Sequence, residues 1–217
     1  MSSQRTKIFK TSVLTIGNTA VGKTCFVERY CDRKFQENHL NTIGIAAMVY
    51  KAKIDEKDVE IKFLDTSGQE KYRNLNVNFL KQANGIILMY SINERESFTQ
   101  ISRWMDSIKE HCDMSKVSII LIGNKKDLKN ERQVSTEEGQ QLAKEYNISF
   151  FESSAKTNEN VKIAVDTLIT QCLIKKPNNE EKKKNVNQVE KNNLYKVGLY
   201  ILIAAIGIII LMKVFNK

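Results

Sequence analysis

The chain has 217 residues, 41% hydrophobic and 27% charged, with one proline and nine glycines; this mixture excludes collagen-like, low-complexity and wholly disordered chains and leaves length beyond one ordinary domain. The net charge of +9 points at first to nucleic acid or anionic lipid. It is unevenly placed, however: residues 1–174 carry 25 Lys/Arg against 22 Asp/Glu, or +3, residues 175–196 carry seven lysines against three glutamates, or +4, and Lys213 and Lys217 add +2.

The opening MSSQRTKIFK has no apolar core, so no secretory signal is expected. Cys25, Cys31, Cys112 and Cys172 match no zinc spacing and read as reduced thiols of a cytosolic fold. Ser12–Ile16 reads as a strand and runs into Gly17–Thr24, GNTAVGKT, which opens a helix over Lys23–Cys31. This is the GxxxxGK[ST] pattern in its strand–helix setting. Backbone N–H groups of Asn18, Thr19, Ala20, Val21, Gly22 and Cys25 would wrap phosphate oxygens at a helix N-terminus. Lys23 would reach the β- and γ-phosphates and the Thr24 hydroxyl would ligate Mg²⁺.

Ile45–Ile54 and Val59–Leu64 read as strands joined by a turn at Asp55-Glu56-Lys57-Asp58. Asp65 closes the second of them in DTSGQE, where a carboxylate near the metal is expected; Gly68 offers a backbone N–H to a γ-phosphate, and Gln69 orients an attacking water. Gly85–Ser91 and Val117–Ile122 are continuously apolar, as strands covered on both faces must be, and a helix is predicted between them over Phe98–His111. Asn124-Lys125-Lys126-Asp127 follows. The Asp127 carboxylate can accept from guanine N1–H and its 2-amino group together, a donor pair adenine lacks. A helix over Thr136–Tyr146, a short strand over Ser149–Phe151, Ser154-Ala155-Lys156 to complete the base pocket, and a helix over Asn160–Ile174 end the pattern. Strands and helices in alternation predict an α/β fold of the P-loop type: six strands, mostly parallel, with one antiparallel edge pair and flanking helices.

Residues 175–193, KKPNNEEKKKNVNQVEKNN, hold the only proline and read as a flexible linker. Its lysines read as a solvated tether rather than a specific site; were they to bind, anionic lipid beside the anchor is the expected partner. Nucleic acid is not an expected partner, since no aromatic residue is interleaved before Tyr195. Val197–Met212 is sixteen residues without a charge or amide. Counted from Leu194 to Phe215 the run is 22 residues, or about 33 Å as a helix, enough for a hydrocarbon core of roughly 30 Å. It is apolar all round rather than striped. The reading is a C-terminal transmembrane tail anchor over 194–217, with Lys196 and Lys213 at the two surfaces and the preceding residues on the cytoplasmic side.

With GNTAVGKT, DTSGQE, NKKD and SAK in order, the chain resembles the Ras superfamily of small GTPases over roughly residues 7–174, most closely its Rab branch. Glu96–Trp104 and Arg132–Tyr146 add to the Rab likeness. The resemblance implies a slow GTP hydrolase and molecular switch with GTP, GDP and Mg²⁺ at its site. It implies that Thr42, in Thr42-Ile43-Gly44, ligates Mg²⁺ in the triphosphate state, that Phe35 packs on the guanine, and that an exchange factor, an activating protein and effectors act on it. Departures fall at Ala46 and Ala47, where Rabs usually carry an aspartate and a phenylalanine, at Leu64, usually a tryptophan, at Ser67, usually a small alanine, in Asn78–Gly85, usually tyrosine-rich, and at Thr19, where Ras has glycine; together they replace bulky aromatics that Rabs present to effectors. No cysteine follows Cys172, and the expectation is that the span replaces the prenylated cysteines usual in Rabs. The expectation is a switch in vesicle or organelle trafficking, on the endoplasmic reticulum or later secretory membranes rather than the mitochondrial outer membrane. The alternative is a weakly hydrolysing, GTP-binding membrane scaffold or adaptor.

Overall fold

The computed structural model describes residues 8–32, 45–66 and 73–175, with the side chains of 45 and 73–76 excepted. Six strands form one sheet: β1 (Phe9–Gly17), β2 (Ile45–Ile54), β3 (Lys57–Thr66), β4 (Gly85–Ser91), β5 (Ser118–Asn124) and β6 (Ser149–Glu152). Their order is β2-β3-β1-β4-β5-β6. All neighbours pair parallel except β2, which runs antiparallel to β3 on the edge. The six-stranded, mostly parallel α/β sheet expected from the sequence is therefore present.

Alternation along the central strands sends side chains into two core layers. Ile87 and Met89 of β4 and Ile120 and Ile122 of β5 meet Phe26 and Val27 of α1 (Lys23–Tyr30) and Val161, Val165, Leu168 and Ile169 of α6 (Val161–Lys175). Ile86, Leu88 and Tyr90, with Ile119 and Leu121, meet Leu80 of α2 (Arg73–Leu80), Ile101, Trp104, Met105 and Ile108 of α4 (Ile101–His111), and Ala143 of α5 (Thr136–Tyr146). Every residue of β4 and β5 is buried, which is why both read as unbroken apolar runs.

Several bounds differ from expectation, each for a local reason. The turn after β2 is two residues, not four: Ile54 pairs with Lys57, and Asp55 and Glu56 both take positive φ, 47° and 60°. Two left-handed residues match the twist of a tight hairpin. The Asp55 carboxylate also accepts from Thr170 Oγ1 on α6 at 2.7 Å. Helix α2 has no counterpart in the sequence reading, because RNLNVNFL alternates polar and apolar residues as a strand would and is rich in asparagine. Packing of Leu80 into the second core layer overrides that local signal. The helix expected over Phe98–His111 starts earlier and is two helices, α3 (Arg95–Thr99) and α4, which meet at Gln100. Ser97 fastens the first: its hydroxyl donates to the Glu94 carbonyl at 2.7 Å and accepts from the Ser91 N–H at 3.0 Å. Helix α5 keeps its expected bounds through a capping box of Ser135 with Glu138 and a left-handed Asn147 at its end.

Lys175, expected to begin the linker, is the last residue of α6, where its ammonium donates to the Val117 and Met114 carbonyls at 2.5 and 3.2 Å. Among the described residues no helix is long and apolar enough to cross a membrane. The linker from 176 and the apolar run Val197–Met212 lie outside them, as do Phe35, Thr42, Ser67, Gly68 and Gln69.

Candidate functional site

Three loops at the carboxyl ends of β1, β5 and β6 converge, and the first is the segment Gly17–Thr24 between β1 and α1. Its course needs positive φ at Gly17 (148°), Ala20 (61°) and Gly22 (94°). Ala20 is the one of these with a Cβ, and the left-handed region costs an alanine about 1–2 kcal/mol. Gly22 is demanded by space as well, since a Cβ there would lie 2.4 Å from Asn124 Nδ2. Helix α1 begins with no side-chain cap and no acidic residue in its first turn. Its first amides are thus uncapped by side chains, the arrangement that receives an anion.

Lys23 is 5% exposed. Its ammonium donates to the Gly17 carbonyl at 3.0 Å and the Asn18 carbonyl at 2.6 Å, two of the three donors it has. Burial lowers its pKa to about 8, and the charge of Asp65 pulls the other way without offsetting it. Phosphate oxygens at the loop would restore the balance in favour of the charged form. The Thr24 hydroxyl donates to Asp65 Oδ2. Asp65 lies inside β3, which runs on to Thr66, rather than just beyond the strand's end. A hydroxyl and a carboxylate held together are hard oxygen donors and fit Mg²⁺. Among the described residues no group of three His, Cys, Asp or Glu side chains is placed to hold a metal. The Cys25 side chain packs against the first core layer, and burial, then Glu28 and Asp65, push its thiol pKa up.

Asn124, the last residue of β5 and 1% exposed, joins all three loops. Its amide donates from Nδ2 to the Val21 carbonyl of the first loop at 2.9 Å. Its Oδ1 accepts from the Ser153 hydroxyl at 3.2 Å and the Ala155 N–H at 3.3 Å in the loop after β6. Lys125 follows with φ 64° and turns the chain toward Asp127. The Ser154 hydroxyl donates to Asp127 Oδ1 at 2.6 Å and accepts from the Thr157 N–H at 3.1 Å. The carboxylate is thereby fixed in orientation, and each oxygen has a second lone pair for a base. Lys126 ties the same two loops from outside, through its ion pair with Glu159 at 2.5 Å and its N–H on the Ser153 carbonyl at 2.9 Å.

The structure thus brings Gly17–Cys25, Asp65, Asn124, Lys125, Asp127 and Ser154–Lys156 to one rim of the sheet. One residue absent from the sequence reading belongs with them. Arg29, in the last turn of α1, donates from Nε to the Ala155 carbonyl at 2.8 Å and from an Nη to the Lys156 carbonyl at 3.2 Å. The helix that follows Gly17–Gly22 is in this way clamped to the loop after β6. No local pattern announces such a contact, because its partners lie 126 and 127 positions away.

Comparison with known proteins agrees with this geometry. The model of the Ras family matches residues 12–174. The chain is 38% identical over 174 residues to the Ras-related protein Rab-15 of Rattus norvegicus, covering 80% of each. It is 36% identical over 193 residues to the Ras-related protein Rab-13 of Bos taurus, covering 86% of this chain and 95% of that one. To the Ras-related protein Rab-10 of Diplobatis ommata it is 37% identical over 175 residues, covering 81% and 87%.

Proposed function

The chain belongs to the Ras family of small GTPases, whose members are GTP hydrolases, and from that premise we propose that it is a membrane-anchored switch of vesicle or organelle trafficking. The observation that carries the nucleotide reading is the convergence on Asn124, which holds the phosphate loop and the base loop in one frame. In this reading Gly17–Cys25 cradle the phosphates, with Lys23 on the β- and γ-phosphates. Asp127 selects guanine, aided by Asn124, Lys125 and the Ser154–Lys156 loop, with Phe35 on the base. Thr24 and Thr42 would hold Mg²⁺ with Asp65 beside them, and the chemistry the ion would supply there is neutralisation of phosphate charge. Gly68 senses the γ-phosphate and Gln69 orients the attacking water. Phosphoryl transfer is then chiefly positioning and charge stabilisation, so the lone domain is slow and an activating protein accelerates it.

Gln69→Leu removes the group that orients water and leaves the phosphate loop intact. Single-turnover phosphate release should fall at least about tenfold, while GTP retention stays as in the parent chain. Unchanged release, with and without an activating protein, would take this role from Gln69.

The trafficking part of the proposal rests on the Rab relatives, and the anchor rests on the length and unbroken apolarity of Leu194–Phe215. The G domain (1–174) and the lysine- and asparagine-rich linker would lie on the cytoplasmic face, with secretory membranes favoured over the mitochondrial outer membrane. Integral insertion ties regulation to the nucleotide cycle rather than to membrane cycling. Alkaline carbonate should leave the full chain in the membrane pellet and release a chain lacking residues 194–217. Release of the full chain would refute insertion.

A further inference from the structure

Trp104 is the chain's only tryptophan and sits in α4, outside every motif that marks the nucleotide site. It is 5% exposed and packs in the second core layer with Leu14 and Ile16 of β1 and Leu80 of α2. An indole N–H is a donor only, and burying it without an acceptor is costly. Its acceptor is Asn18 Oδ1, at 3.2 Å, in the phosphate loop 86 positions earlier. The backbone carbonyl of that same Asn18 holds the Lys23 ammonium at 2.6 Å. One residue of the loop is thus gripped from two sides: the core through its side chain and the phosphate-binding lysine through its main chain.

We propose that Trp104 is a positioning residue for the phosphate loop, its indole N–H holding Asn18 so that loop and Lys23 stay arranged for the nucleotide. The inference rests on the nucleotide reading of Gly17–Thr24. It assigns to α4 a part in nucleotide retention that packing alone would not give it. Among the described residues the loop is also held at Val21, through Asn124, at Thr24, through Asp65, and through the Lys23 ammonium on Gly17 and Asn18. At Asn18 the second core layer reaches the phosphate loop by a side-chain hydrogen bond.

The test uses the full chain in detergent micelles, loaded with fluorescent GDP, and three variants: Trp104→Phe, Asn18→Ala and the double variant. A neutral hydrogen bond of this kind sets the scale, so each single variant should release GDP roughly three- to tenfold faster than the parent. The double variant should be no faster than the faster single one, since both remove the same bond. Arg103→Ala, an exposed neighbour on α4 bonded to Gln100, should release GDP at the parental rate. Because there is a single tryptophan, ¹⁵N-indole labelling gives one side-chain resonance, and Asn18→Ala should shift it. That change replaces no core side chain, so the contact is tested even if Trp104→Phe folds poorly. Parental release rates in both single variants, rate effects that multiply in the double variant, or an unmoved indole resonance would overturn the proposal. A parent chain that retains no GDP would instead overturn the nucleotide reading beneath it, and the proposal with it.

Discussion

Asp127→Asn should weaken GTP binding by about a thousandfold or more, because a site built to hydrogen-bond its ligand rejects a mismatched one by large factors. The carboxylate is a pure acceptor, and guanine presents two donors to it, N1–H and the 2-amino group. An asparagine in its place turns one acceptor into a donor and sets N–H against N–H. Xanthine carries a carbonyl where guanine carries the amino group, so the same variant should bind xanthosine triphosphate better than the parent does. The Ser154 hydroxyl, which holds Asp127 Oδ1 at 2.6 Å, can hold an amide oxygen equally well, so the side chain keeps its place while its chemistry changes. Titration of both nucleotides against parent and variant decides the matter. A variant that keeps GTP within tenfold of the parent, with no gain for the xanthine nucleotide, would remove Asp127 from the base site.

Gly17→Ala should destabilise the fold by about 3 kcal/mol or more, the range reached when backbone strain and steric overlap coincide. A Cβ at this position would lie 2.1 Å from the Met89 carbonyl oxygen, a backbone atom of the neighbouring strand that cannot move aside alone. Its φ of 148° adds strain for any side chain. At this chain length the midpoint of thermal unfolding should drop by about 6–12 °C. Trp104 fluorescence reports it, since that side chain lies in the core. Gly85→Ala is the matched comparison. There the added methyl meets the side chains of Cys172 and Leu168 at 3.1 and 3.2 Å, which can yield, so the loss should be clearly smaller. Equal losses at the two positions would contradict the steric argument.

The features legible in the sequence were those written within a few residues of themselves. β2, β4 and α5 fall at their expected bounds because edge alternation, an apolar run and a capping box are each local. The strand–loop–helix path through Gly17–Thr24 was legible for the same reason, since glycine, lysine and threonine at fixed spacing specify a backbone path. What escaped was set by tertiary packing. Helix α2 looks like a strand until Leu80 finds the second core layer. Gln100 divides a helix that periodicity would continue. Arg29 and Trp104 act on loops 126 and 86 positions away, and nothing beside them in the chain names those partners. The two-residue turn at Asp55-Glu56 was blurred for another reason, because four consecutive charged residues look equally turn-like and only φ separates turn from strand.

The three bonds of Asn124 bear on how the halves of a nucleotide add up. A base alone or a polyphosphate alone engages one loop and orders only part of the frame. Joined in one molecule, the second half binds as an intramolecular event at high effective concentration, provided the two loops stand at the spacing the ligand requires. If the proposed reading holds, Asn124, 1% exposed, would set that spacing and so convert two weak sites into one strong chelate. Release of the intact nucleotide then requires both halves to let go together, which makes the residence time a property of the frame rather than of either loop.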